Sequence, residues 1–215
     1  MSKIERNEII ARNILHNIFE RYGTKKSFTG MGNDLQIHHK TVIEYLDLFE
    51  SSMVIYVLNL VDISKMKERE KSSKKIYFSD PFIYHGLAAY LRGEDGFKFS
   101  KENMPKIQSG LIEGMAASHL IQSKERPYLK EWKTFLWFYH THTGKEIDFI
   151  YKGNRELWGI EIKYQESANS KDILKIQGVN EYLLLTKNNF NITKEITILP
   201  VSLFLCLLEK SDFVL

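Results

Sequence analysis

Three charged residues on two neighbouring apolar segments carry the chemistry this sequence offers. Asp148 sits in Glu146-Ile147-Asp148-Phe149-Ile150, and thirteen residues later Glu161 begins Glu161-Ile162-Lys163 at the end of Trp158-Gly159-Ile160. Both segments read as β-strands. Alternation along a strand places Glu161 and Lys163 on one face with Gly159, and Trp158, Ile160, Ile162 and Tyr164 on the other. The link from Lys152 to Glu156 is short and carries Gly153 and Asn154, so a hairpin in the right register brings Asp148 to the same face. An Asp, a Glu and a Lys converging on a sheet are costly to bury without a ligand. Hard carboxylate oxygens beside a lysine suit a divalent cation and hydrolysis of a phosphate ester by activated water.

A helix and further strands must position these groups. Ser109 to Gln122 has helical spacing, and Glu113 lies on its apolar stripe with Ala116, Ala117 and Leu120 at three, four and seven positions on. The small residues Gly114, Ala116, Ala117 and Ser118 would let this helix approach the sheet closely enough for Glu113 to reach the strand acids. Pro127, Tyr128 and Leu129 read as a loop, Phe135 to Thr141 as a strand and Thr143-Gly144 as its turn. Glu181 to Thr186 and Ile196 to Leu199 are later strands, and Pro200 opens a helix through Leu208.

The resulting order is helix with Glu113, strand, strand with Asp148, strand with Glu161-Ile162-Lys163, helix, strand, which resembles the PD-(D/E)XK nuclease core. Ile147 stands where that family usually has Pro. The resemblance implies that Asp148 and Glu161, with the backbone carbonyl of Ile162, hold Mg2+ or Mn2+, and that Glu113 completes the metal shell directly or through water. It implies that Lys163 orients or deprotonates the attacking water and offsets phosphate charge. Glu146 shares the face of Asp148 by alternation and is either a further ligand or a strand-end residue; Gln165 is a weaker candidate for substrate contact. Against catalysis stands a second reading, in which Asp148, Glu161 and Lys163 are a paired buried cluster that no longer binds metal. Both readings stay open. His140 and His142 share a strand face but lack a third ligand at zinc spacing, so they read as polar strand-end residues.

Upstream, Ile9, Ile10, Ile14, Leu15, Ile18 and Phe19 mark an amphipathic helix over residues 4–22. A polar link over Ser27 to Asn33 precedes a second helical pattern at Val42, Tyr45, Leu46 and Phe49, which suits a helix-turn-helix. Met53 to Leu60 and Ile76 to Phe78 then read as strands, so three helices and a hairpin make a winged-helix plan. His39-Lys40-Thr41-Val42 with Tyr45 to Glu50 resembles a recognition helix. Continued through Lys75 to Pro81, the pattern resembles the C-terminal half of archaeal and bacterial AAA-type ATPases, where a winged helix precedes a restriction-endonuclease-like domain of ill-defined function. The similarity runs from about Ile9 to Leu208. No G-x-x-x-x-G-K-[ST] loop occurs in these residues, so no ATP hydrolysis is expected of them. Asp62 to Lys75 holds Lys65, Lys67, Arg69, Lys71, Lys74 and Lys75 against Asp62, Glu68 and Glu70, which is either a solvated loop or a phosphate-contacting wing. Lys40, Thr41, Lys65, Lys67, Lys74 and Lys75 are the candidate nucleic-acid contacts.

The net charge of +3 and pI of 8.7 are only mildly basic, so nucleic-acid binding must come from a local cluster. The single cysteine, Cys206, sits among apolar residues and excludes a disulfide framework, which fits a reducing cytoplasm. The start of the chain has no apolar targeting segment, and the longest apolar runs are too short to span a bilayer. Arg92-Gly93-Glu94-Asp95-Gly96 breaks the pattern, and 93–106 reads as a loop and domain linker closed by Pro105. These features lead us to expect an α/β protein with a winged helix over residues 1–92 and, over 93–215, a restriction-endonuclease-like domain with a mixed central sheet flanked by helices. The expected function is a cytoplasmic DNA-binding protein with a metal-dependent nuclease-like site. The alternative is a non-catalytic DNA- or protein-binding module. Its expected partners are DNA, an ATPase or other protein, or a second copy, and no membrane.

Overall fold

A computed structural model describes residues 3–69, 71–93, 95–123, 130–153 and 156–208. Within it the chain is mixed α/β and forms two compact units, Met1–Val57 with Lys71–Gly114, and Leu58–Glu70 with Met115–Leu215. Pro127, Tyr128 and Leu129, read as a loop, and Asn154 of the hairpin link lie outside the described residues.

The first unit is built from α1 (Lys3–Glu20), β1 (Lys25–Lys26), α2 (Phe28–Leu35), α3 (His39–Ser51), the first part of β2 (Ile55–Asn59), β5 (Lys74–Phe78), α4 (Pro81–Arg92) and the first part of α5 (Gly96–Gln122). The helices bury the stripes read from their spacing. Ile14, Ile18 and Phe19 of α1 meet Val42, Leu46 and Phe49 of α3 in one core. The stretch read as a polar link is α2 itself, because the Ser27 side chain accepts from Gly30 N at 3.0 Å and Met31 is buried among the helices. Asp80 caps α4 by accepting from Phe82 N at 2.6 Å, with Pro81 at the first helical position. Three strands pair in the order β1-β5-β2.

The loop expected over 93–106 is instead the start of α5, which continues through Pro105 to Gln122. Its composition is loop-like, but Asp95 accepts from Phe97 N and Lys98 N, and Phe99 is buried in the first unit's core with Met104 and Ile107 against it. That burial outweighs the cost of the proline, whose missing donor removes one helical hydrogen bond.

In the second unit β6 (Leu136–His140), β7 (Glu146–Lys152), β8 (Leu157–Lys163), β9 (Glu181–Thr186), β10 (Asn191–Ile192) and β11 (Thr197–Pro200) form one mixed sheet. The order is β10-β11-β9-β8-β7-β6. β6, β7 and β8 are antiparallel neighbours, while β8, β9 and β11 run parallel. A helix expected between β8 and β9 is absent among the described residues; the crossover over 164–180 holds only a 3-10 turn at Ser170–Asp172. Its Ala168, Ile173, Leu174 and Ile176 cover the sheet's core directly, so the parallel connection buries its face without a helix. A short hairpin, β3 (Val61–Asp62) and β4 (Lys67–Glu68), belongs to this unit although it lies between β2 and β5 in sequence. Val61 is fully buried with Trp137 and Ile147, and Leu60 forms a parallel bridge with Phe138 of β6. The C-terminal α6 (Val201–Leu207) follows Pro200 as the sequence predicts. Among the described residues no helix is long and apolar enough to cross a membrane.

Gly159 on β8 faces the ring of Tyr182, and a Cβ there would stand 3.0 Å from two ring carbons and 3.3 Å from Ile147. The ring cannot easily yield, because the Tyr182 hydroxyl accepts from Ile176 N and donates to Ile176 O. Gly159→Ala is therefore expected to cost about 1–3 kcal/mol, read as a lowered denaturation midpoint at unchanged m-value.

Candidate active site

Asp148, Glu161 and Lys163 come together at the end of the β7–β8 ladder. Backbone pairing runs from Lys152 opposite Leu157 to Phe149 opposite Ile160 and stops there. One residue further, side chains take over from the backbone. Glu161 Oε2 accepts from Asp148 N at 3.3 Å, and Asp148 Oδ2 accepts from Ile162 N at 2.9 Å. Both acids are withdrawn from water, at 3% and 2% exposure. Lys163 Nζ lies 2.6 Å from Glu161 Oε1 and is 38% exposed, so the ammonium stands between the buried acids and solvent.

A β-bulge aims Asp148. Against β6, Trp137 pairs with Ile150 and Tyr139 with Ile147, so two steps along β6 answer three along β7 and the extra residue falls at Asp148 and Phe149. Ile147 and Ile150 consequently share one core although they are three positions apart. Glu146 pairs with His140 at the half-buried strand end.

Burial and the neighbouring Asp148 push the Glu161 carboxyl up to about 8, and the hydrogen bond and charge of Lys163 offset this only in part. Among the described residues no group of three or more His, Cys, Asp or Glu side chains is gathered as a metal site. The donors on hand are these two carboxylates and the local backbone. They suit a divalent cation, since two buried like charges are relieved either by a proton or by a cation in its place.

Glu113 is engaged within the first unit. Its Oε2 accepts from the Tyr77 hydroxyl at 2.9 Å and lies 3.4 Å from Lys75 Nζ, both on β5. The notch left by Gly114 is filled by Tyr22, whose hydroxyl would lie 2.1 Å from an added Cβ. The small residues of α5 thus admit an aromatic side chain of α1's own unit.

Of the candidate nucleic-acid contacts, Lys40 is exposed and Thr41 half-buried at the start of α3, and Lys65 and Lys67 are exposed on the β3–β4 hairpin. Lys74 and Lys75 must be corrected. They are 2% and 1% exposed, because β5 is the central strand of its sheet, and their ammonium groups meet the Phe28 ring at 5.5 Å and the Glu113 carboxylate. Neither is placed to meet a phosphate. The exposed positions of α3 also include Glu44, Asp47 and Leu48, so acids outnumber Lys40 on that surface. A cleft of about 400 Å3 in the second unit, between the β3–β4 hairpin and residues 174–177, has Arg69, Lys175 and Tyr139 on its walls. Residue patterns could not reveal it, because its lining comes from three separated segments.

Two outcomes follow from these contacts. A carboxyl held protonated up to about 8 instead of its ordinary 4.5 contributes stability that is complete below 4.5 and lost as pH rises through 8. Denaturant unfolding of the wild type should therefore show stability falling across this window, and Glu161→Gln should remove much of that slope. Glu113→Ala withdraws an acceptor from Tyr77 and a counter-charge from buried Lys75, and should cost on the order of 3 kcal/mol of stability in the same assay.

Residues 2–95 match the model of one Domain of unknown function (DUF8612), and residues 108–204 that of another, Domain of unknown function (DUF4143). The second is found in C-terminal regions of AAA-type ATPase-like proteins. No curated protein and no solved structure matches the chain.

Proposed function

We propose that the protein binds DNA and hydrolyses a phosphodiester at a site where Asp148 and Glu161 hold a divalent metal beside Lys163, on a restriction-endonuclease-like second unit preceded by a winged helix. The observation that carries this reading is the bulge at Asp148. It sets a buried Asp beside a buried Glu, with Lys163 two residues on, at the point where the ladder ends, a costly arrangement that packing alone does not require. The winged-helix assignment is supported by the succession α1, β1, α2, α3, β2, β5 and by the strand order β1-β5-β2.

Asp148, Glu161 and the Ile162 carbonyl would hold Mg2+ or Mn2+. Such an ion, when bound, polarises the scissile phosphate and lowers the pKa of a water. Asp148 is oriented by its bond from Ile162 N, which frees the strand edge from ladder pairing and directs the carboxylate between the strands. Lys163, anchored to Glu161 and partly exposed, is positioned to offset phosphate charge and to orient the attacking water. Glu113 is assigned to the packing of its own unit and not to this site.

A second reading, a non-catalytic protein-binding module, draws on the acids of α3, which repel a DNA backbone. Incubation of the purified chain with Mn2+ and labelled linear or branched DNA separates the two. Nicking that falls by about 10²- to 10⁴-fold in Asp148→Asn and in Lys163→Ala supports the nuclease reading. Nicking that survives both substitutions removes the assignment, and absence of Mn2+ binding by calorimetry favours the module.

A further inference from the structure

We propose that the cleft between the β3–β4 hairpin and residues 174–177 binds a single-stranded nucleic-acid segment through its phosphates; this rests on the nuclease-like reading and names the substrate groove of the same unit. The hairpin comes from the stretch that a winged helix would offer to DNA as its wing. Here it is part of the second unit: Val61 is fully buried in that unit's core, Arg69 N donates to Leu60 O at 2.8 Å, and Asn59 bonds the Glu68 carboxylate. Its cations consequently serve the sheet that carries Asp148.

Tyr139 and Thr141 line the cleft as well. Tyr139 lies opposite Ile147, the residue before Asp148, so part of the lining comes from the strand that flanks the candidate site. Arg69 from the hairpin and Lys175 from the crossover both line it, together with the exposed Gln177. The volume of about 400 Å3 suits a nucleotide unit better than a duplex. A half-buried tyrosine and two cations lining one cleft are a combination that single strands use, base on ring and phosphate on cation.

Both cations face carboxylates in this structure, Arg69 with Asp62 at 3.5 Å and Lys175 with Glu195. These pairs are exposed, with about half of each cationic side chain in water, and such pairs contribute little. A phosphate offers Arg69 a two-pronged, charge-assisted partner in exchange. Asp62 then keeps the Ser64 hydroxyl, which donates to it at 2.6 Å.

The test measures binding of a labelled oligothymidylate, and of a duplex of equal length, to the full chain at several salt concentrations without added metal. The wild type should prefer the single strand. Arg69→Ala and Lys175→Ala should each weaken binding about tenfold and reduce the salt slope by about 0.7, with Tyr139→Leu weakening it and leaving the slope unchanged. Wild-type affinity in Arg69→Ala and Lys175→Ala overturns the cleft and leaves the nuclease reading standing. So does a loss confined to Lys40→Ala, which would move binding to the first unit. Tighter binding of the duplex overturns the single-strand assignment, and failure of the wild type to bind either nucleic acid overturns both the cleft and the reading beneath it.

Discussion

Two carboxylates withdrawn from water set the terms for the second unit, Glu161 accepting from Asp148 N and Asp148 from Ile162 N. Asp148 and Glu161 repel one another, and burial strengthens that repulsion because little solvent remains to screen it. The fold answers in three ways. A bulge turns Asp148 toward Ile162 N, Asp148 N donates to Glu161, and Lys163 approaches Glu161 from the solvent side. What is left over appears as a raised affinity of Glu161 for a proton. A site that holds a proton so firmly is one where a cation can replace it.

The supporting structure is shaped by the same need. β7 and β8 give up backbone pairing at Asp148, and the chain compensates with continuous pairing of β8 to β9 along its whole length, from Trp158 opposite Glu181 to Lys163 opposite Thr186. Gly159 leaves room for Tyr182, whose hydroxyl ties the helix-free crossover back onto the sheet through Ile176. In the first unit a different buried ionic group is handled differently. Lys75 has Glu113 as its counter-charge and Tyr77 shares that acceptor, so burial there is met by pairing instead of by exposure to a ligand.

Much of the fold was legible because its signals are local. The α1 and α3 stripes, the Asp80-Pro81 start of α4, the strand at Glu181–Thr186 and the helix after Pro200 rest on spacing and capping within a few residues. The linker reading over 93–106 failed where burial of Phe99 overrode composition, and the wing reading failed for Lys74 and Lys75 because strand order, which no local pattern states, put them at a sheet centre.

By itself the sequence determined which residues could do chemistry: a strand-borne Asp148, and Glu161 with Lys163 on one face of the next strand, since side-chain alternation needs no tertiary information. Only the tertiary structure decided that the β6–β7 register shifts at Asp148, that Glu113 is spoken for by Lys75 and Tyr77, and that the 58–70 hairpin belongs to the second unit. Each of these depends on which distant segment a residue meets, and burial free energy, not spacing along the chain, makes that choice.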